Sequence, residues 1–244
     1  MYAGLSLPGD LPGRPYVVVN MVSTVDGKTA LGESAAGIGS RADARLMRQI
    51  RAAVDAIVWG AGTLRADVVD PRVVPPWVER RRSRGAAPQP LAVTASASLD
   101  LDPTNRFFVN GPSGTVVFTT RSAPPQRRRA LAPYATIVTQ DGPTVDLAAA
   151  LRQLAEQFGI KRLLSEGGPS LNQALLDAGL VDELFWTVAP KLAGGHGRTL
   201  IDGGEPARSI RARLDLVSLF EHHGELCTRY RLLRDADGAY LAIR

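Results

Sequence analysis

Twice in this chain a short apolar run breaks into glycines and then into the start of a helix. Ala56-Ile57-Val58-Trp59 leads into Gly60-Ala61-Gly62-Thr63-Leu64-Arg65-Ala66-Asp67, and Leu163-Leu164 leads through Ser165-Glu166 into Gly167-Gly168-Pro169-Ser170-Leu171-Asn172. The apolar runs read as short buried strands. Gly167 and Gly168 permit positive φ and close approach of a ligand to the backbone. Pro169 suits a first helical turn, where its missing N–H has no cost. The open N–H groups and partial positive charge of a helix start favour a phosphate. A carboxylate at Glu166 would repel that anion unless it faces a second ligand. The turn therefore suggests neighbouring sites, one for a phosphorylated cofactor and one for a polar substrate. An ordinary strand–turn–helix with a surface Glu fits the same residues. Recurrence of the signature at Gly60–Asp67 favours the nucleotide, although Asp67 at the end of a first turn also suits a dipole or cap role.

Around these turns the chain alternates strands and helices. Tyr16 to Val22 is a near-continuous apolar run, as expected of a central strand covered on both faces. It continues into Ser23-Thr24-Val25-Asp26-Gly27-Lys28, where Asp-Gly marks a turn. Residues 31–39 read as a small, polar, Gly-rich loop able to move over a site. Ser40 is a good N-cap, with Asp43 in a near capping box. Leu46, Met47, Ile50, Ala53 and Val54 follow helical spacing, and Arg45, Arg48 and Arg51 lie off that stripe on a solvated face. Residues 68–90, rich in Pro and Arg, read as a long surface loop. Further strands are expected at Leu91–Thr94, Thr115–Thr119 and Ala135–Val138, and an amphipathic helix at Leu147–Phe158. After a helix at Leu171–Leu176 and a strand at Glu183–Val188, two strands around Leu214–Phe220 and Leu226–Leu233 suggest an antiparallel hairpin. The pattern is an α/β chain with a mostly parallel sheet and an antiparallel C-terminal edge. It divides into a flexible N-terminal tail, residues 1–13, and a single domain over 14–244.

The 244 residues carry a net charge of +5. A basic surplus attracts nucleotides and phosphorylated substrates. Nucleic acid is the rival partner, but Arg80-Arg81-Arg82 with Arg84 lacks interleaved aromatics and reads as a solvated loop. The single Cys227 and only three histidines, His196, His222 and His223, argue against a disulfide or a bound metal. No apolar run is long enough to span a membrane, and residues 1–13 do not resemble a secretory signal. A cytoplasmic protein with a small-molecule substrate, no nucleic acid and no membrane partner is expected.

Three blocks, taken in order, resemble one family. They are Val19–Lys28; Gly60–Asp67 with Asp70-Pro71; and Ser165–Leu171 with Ala189-Pro190-Lys191-Leu192-Ala193-Gly194-Gly195. Together they are similar to the reductase domain of the bifunctional riboflavin-biosynthesis deaminase–reductase, from about Arg14 onward. The resemblance implies a dihydrofolate-reductase-like, three-layer α/β/α reductase domain, often a homodimer, that uses NADPH. The family's usual reaction reduces 5-amino-6-(5-phosphoribosylamino)uracil to the ribitylamino product. By resemblance, Gly62, Thr63, Gly167, Gly168, Pro169, Ser170, Leu171 and Asn172 bind the dinucleotide, while Val22, Gly37 and Ile38 approach the nicotinamide. Arg51 matches a substrate-phosphate ligand. Asp67 and Glu166 match acidic positions that face substrate and nicotinamide, and they are the candidate catalytic groups.

Departures from the family pattern bear on the substrate. The zinc-deaminase signature, His-x-Glu with a paired Cys-x-x-Cys, is missing. Asn20 stands where many members carry Lys. Val68-Val69 are interposed between Asp67 and the Asp-Pro pair, so the basic residue expected downstream falls near Pro75-Pro76, with Arg72 as a substitute. Thr119, Thr120 and Arg121, at a strand end, are candidates for reading the 2′-phosphate of NADPH. Two other readings remain: a reductase of dihydrofolate or another pterin or pyrimidine, and a nucleotide-binding module without catalysis.

Overall fold

The structure, a computed structural model, describes residues 1–2, 4–9, 11–32, 37–111, 113–202 and 212–243. The middle of the expected mobile loop, residues 33–36, lies outside the described residues. Where the sequence suggests one domain, the chain clusters into two compact units. One comprises residues 1–4, 17–47 and 165–244, and the other comprises 5–16 and 48–164.

In the first unit, β1 (Tyr16–Thr24) pairs parallel with β7 (Glu183–Ala189), and β7 pairs antiparallel with β9 (Glu225–Leu232). β9 closes a hairpin with β8 (Leu214–His222), giving the order β1-β7-β9-β8 and the antiparallel edge that the sequence indicates. Val17, Val18 and Val19 are buried, as an apolar run in a strand covered on both faces should be. The backbone at the start of β1 is tied down by Asp182, whose Oδ2 accepts from Val17 N–H at 2.8 Å while its own N–H donates to Val17 O at 2.9 Å. Glu183, wholly buried, is matched across β9 by a two-pronged bond from Arg229 at 2.7 and 3.0 Å.

The second unit holds β2 (Ala56–Gly60), β3 (Leu91–Ala95), β4 (Thr115–Thr120), β5 (Thr136–Gln140) and β6 (Arg162–Ser165), in the order β5-β4-β3-β2-β6. Parallel pairing from β2 to β5 requires crossovers. α2 (Ala61–Ala66), α3 (Trp77–Arg82), α4 (Pro125–Leu131) and α5 (Leu147–Phe158) lie along this stretch of chain. α5 begins with an Asp146 cap accepting from Ala149 N–H and ends at Gly159 in the left-handed region. Asp55, just before β2, accepts from the N–H groups of Lys161 and Arg162 at 3.2 and 2.9 Å, which pins the entry to β6. α1 (Arg41–Ala53) buries Leu46, Ile50 and Ala53 and leaves Arg45 and Arg48 exposed, as its periodicity indicates.

Two stretches differ from the sequence reading. The segment expected as a flexible tail buries Tyr2, Leu5 and Leu7. Tyr2 meets Phe185 and Phe220 edge-on at 5.1 and 5.6 Å, and Leu7 O accepts from Arg162 Nε at 2.9 Å. The arginine-rich loop contains α3, and Arg81 within it is only 1% exposed. The reason is a helix end. The last carbonyls of α1 have no intrahelical donors, and Arg81 Nη1 donates to Arg51 O at 3.2 Å and to Val54 O, while its Nε donates to Ala87 O at 2.7 Å. Burial lowers its pKa to about 10, so it stays charged at neutral pH. Among the described residues, no helix is long and apolar enough to cross a membrane.

Arg81→Met should destabilise the protein by about 2–4 kcal/mol, because it strands buried carbonyls rather than removing a surface charge. Arg82→Met, at an exposed position of the same helix, should stay within about 0.5 kcal/mol. Urea unfolding of the two variants side by side measures the difference.

Candidate active site

The turn after β6 departs from ordinary backbone at Gly167, which is buried with φ +85°. A Cβ there would sit 3.2 Å from Met21 Sδ, so both conformation and space favour glycine. The Gly167–Gly168 peptide is cis. α6 (Pro169–Asp177) then begins with Gly168 as its N-cap and no side-chain cap bond. Gly168 O accepts from the N–H groups of Leu171 and Asn172 at 3.0 and 3.1 Å, Pro169 has no N–H, and Ser170 is exposed. No side chain caps this helix start, so the Ser170 N–H and the positive end of the helix dipole are what it offers an anion. Asn172, expected to touch the cofactor, is fully buried instead. Its Oδ1 accepts from Ser165 Oγ at 3.0 Å and its Nδ2 donates to Leu200 O at 3.1 Å, so it braces the turn from behind.

Asn20 and Val22 project from one side of β1, both half-buried, opposite Phe185 and Thr187 of β7. Beyond β1, Asp26 accepts from Ala193 N–H at 3.1 Å and Gly194 N–H at 2.8 Å. With Thr24 contributing the largest effect, these bonds hold its carboxyl down to about 2. That explains why the Asp-Gly turn and the Ala193-Gly194 block occur together. Gly37 is exposed, whereas the Ile38 side chain is wholly buried, so any approach of Ile38 to a nicotinamide is through its backbone. Both carbonyls accept from Lys191 Nζ, at 2.5 and 2.8 Å.

A second cluster sits at the start of α1. Ser40 Oγ accepts from Ala42 N–H at 2.9 Å, as an N-cap should. The reciprocal half of the expected capping box is taken over by Glu225 from β9, which accepts from Ser40 N–H at 2.8 Å and from Ser40 Oγ at 2.5 Å. Asp43 bonds to Thr187 instead. Burial, with smaller repulsion from Glu225 and Glu166, raises its carboxyl to about 6. Glu166 itself is half-buried.

In the second unit, Gly62 is exposed and Thr63 half-buried on the short α2, whose cap residue Asp67 is exposed. Arg51 is half-buried rather than on a solvated face. Its Nη1 donates to Asp70 O at 3.0 Å, and its guanidinium lies 5.5 Å from the centre of the Trp59 ring. Arg72 is engaged by Asp70 through Nε at 2.9 Å and Nη2 at 2.7 Å. Arg106 reaches the same carboxylate, Nη2 to Oδ2, at 2.6 Å. The guanidinium of Arg72 is the main cause that holds Asp70 down to about 2. The Thr119 and Thr120 hydroxyls are buried on Ala97 O and Ser122 Oγ, and Arg121 pairs with Asp141, which leaves these three poorly disposed to read a phosphate.

Parallel strands, glycine turns and a helix start without a side-chain cap beside a half-buried carboxylate make an α/β scaffold with a place for an anionic ligand, and comparison with known proteins says what kind of protein it is. The chain belongs to the RibD C-terminal domain family, whose model matches residues 15–228. It is 37% identical over 207 residues to the 2,5-diamino-6-ribosylamino-4(3H)-pyrimidinone 5′-phosphate reductase of Methanothermobacter thermautotrophicus, covering 82% of this chain and 91% of that one. The Archaeoglobus fulgidus protein of the same name is 33% identical, over 79% of this chain and 88% of its own length. Among solved structures, a pyrimidine reductase-like protein from Corynebacterium diphtheriae superposes with a TM-score of 0.78 at 27% identity, over 91% of this chain and 93% of that one. Membership of this family implies a reduced nicotinamide cofactor.

Sequence reasoning missed Glu225, Asn105 and Arg106 as parts of these clusters, read Asp43 only as part of a near capping box, and quoted Lys191 only within a motif. Glu225, Asn105 and Arg106 act through partners remote in sequence.

A carboxyl whose pKa rises on folding takes up a proton in the native state between its unfolded and folded values, so stability falls as pH rises through that window. For Asp43 the window runs from 3.8 to about 6, and the loss above it is on the order of 3 kcal/mol. Asp43→Asn should therefore gain stability over the wild type at pH 7.5 and lose that advantage toward pH 4. Thermal melts of both proteins across this range measure it, and a pH-independent difference would show that Asp43 ionises normally.

Proposed function

We propose that this chain is an NADPH-dependent reductase that converts the ribosylamino group of a phosphorylated aminopyrimidine to a ribitylamino group. The observation that carries the reading is the Glu166–Asn172 turn, an uncapped helix start beside a half-buried carboxylate. Gly167, Gly168 and Ser170 would hold a phosphate of the cofactor, and Val22, Gly37 and the Ile38 backbone would border its nicotinamide. When bound, that group supplies the hydride. Glu166 and Asp67 would orient the substrate's N–H groups and supply or hold the proton that accompanies the hydride. Arg51, already pointed by Asp70 O and Trp59, would grip the substrate phosphate.

The relatives matched over most of their own length are named for 2,5-diamino-6-ribosylamino-4(3H)-pyrimidinone 5′-phosphate. This favours the diaminopyrimidinone as substrate over 5-amino-6-(5-phosphoribosylamino)uracil, the family's usual one. Dihydrofolate is a weaker alternative, supported only by Arg51 as a possible clamp for a carboxylate.

Oxidation of NADPH should proceed with the diaminopyrimidinone phosphate at least tenfold more efficiently than with the uracil or dihydrofolate. Glu166→Gln and Asp67→Asn should each lower kcat by about two orders of magnitude, and Asp67→Asn should leave the NADPH affinity measured by calorimetry unchanged. Near-normal turnover in both variants would make these carboxylates structural. Equal affinity for NADH and NADPH in the same titrations would remove the cofactor preference.

A further inference from the structure

The two residues interposed at Val68-Val69 move the Asp-Pro pair away from Asp67, so the position of the basic residue expected after it falls at Pro75-Pro76, and the nearby Arg72 is taken up by Asp70. A remote segment closes on this loop. Asn105 Nδ2 donates to Leu64 O at 3.0 Å and to Asp67 O at 2.9 Å, while its Oδ1 accepts from Val69 N–H at 3.3 Å. One side chain thus bonds the backbone just before the interposed pair and within it. The next residue, Arg106, places Nη2 2.6 Å from Asp70 Oδ2.

Three arginines therefore converge on one residue: Arg51 on the carbonyl of Asp70, and Arg72 and Arg106 on its carboxylate. Two guanidinium groups, Arg72 and Arg106, against the one carboxylate of Asp70 leave a positive charge in excess beside Arg51, and an anionic phosphate would balance it. The two carboxylate partners differ in what they retain. Arg72 uses both Nε and Nη2 on Asp70, in a contact closed within three residues of chain. Arg106 uses Nη2 alone, and among the described residues its Nε and Nη1 have no protein partner. Its side chain is 58% exposed against 39% for Arg72.

We propose that Arg106 supplies the missing cation of the substrate's 5′-phosphate subsite, acting with Arg51 across Asp70. The interposed residues have moved the phosphate-reading role from the loop itself to the segment that clasps it. Asp70 keeps the arginines together while the site is empty. This inference rests on the substrate being a phosphorylated ribosylamine, as proposed above.

The test uses ribose 5-phosphate and ribose as binding partners, titrated by calorimetry into the full chain saturated with NADPH. Wild type should bind ribose 5-phosphate and discriminate against ribose. Arg106→Ala should weaken ribose 5-phosphate ten- to a hundredfold, the range for losing one ionic hydrogen bond, with a shallower salt dependence and an unchanged Kd for NADPH. Arg106→Lys should recover part of the loss. Asp70→Asn removes the counter-charge and should leave phosphate affinity equal or tighter. If Asp70→Asn weakens binding as much as Arg106→Ala does, Arg106 acts only through Asp70 and the assignment is overturned. Equal ribose 5-phosphate affinity in wild type and Arg106→Ala also overturns it, while leaving the proposed reaction intact. Failure of wild type to prefer ribose 5-phosphate over ribose would remove both.

Discussion

Backbone groups that leave a buried parallel strand have no ladder to join, and nearly every feature of the candidate site follows from how side chains satisfy them. An unpaired buried N–H or carbonyl costs on the order of 1–3 kcal/mol, so the loops at strand ends cannot be left to chance. Asp182 serves the start of β1, and Asp55 the start of β6. Arg81 closes the end of α1, Asn172 braces the Glu166 turn, and Asn105 holds the loop after α2. Each of these residues is polar, and Arg81 and Asn172 are also wholly enclosed.

This arrangement separates rigidity from chemistry. Residues that fix a loop have their polar atoms bonded inward, as Asn172 and Lys191 do. Exposed residues sit one or two positions away on the same fixed backbone: Ser170 beside the braced turn, Gly37 above the lysine clamp, Arg106 next to Asn105. Loops built this way are held in shape by the protein itself rather than by what binds to them.

Electrostatics follow the same division. Asp26 and Asp70 are surrounded by donors, and their carboxyls are held near 2, so they remain charged anchors at neutral pH. Asp43 is half-buried near other carboxylates, and loss of water around it raises its carboxyl to about 6. A carboxyl in that range, on the helix start that Ser40 and Glu225 define, makes the first unit sensitive to pH between the unfolded and folded values of Asp43.

The sequence by itself determined the strands, the longer helices and the glycine turns, but not α3 or α4. Buried strands read as uninterrupted apolar runs, α5 was legible to the residue from its periodicity, and glycine at 167 is demanded by local backbone conformation. The ordered motifs also carried the family, because they encode local shapes that one reaction needs. Tertiary structure alone decided which polar side chains are exposed and which face backbone. Asn172 and Arg81 look like a ligand and a solvated charge in the sequence, yet both are enclosed by carbonyls that need donors. Arg51 looks solvated by helical position and is half-buried against Trp59. Arg106 carries no signal at all, since its meeting with Asp70 spans 36 residues of chain. Periodicity reports burial of whole faces, whereas a hydrogen-bond partner depends on where a distant loop returns, and no local pattern records that.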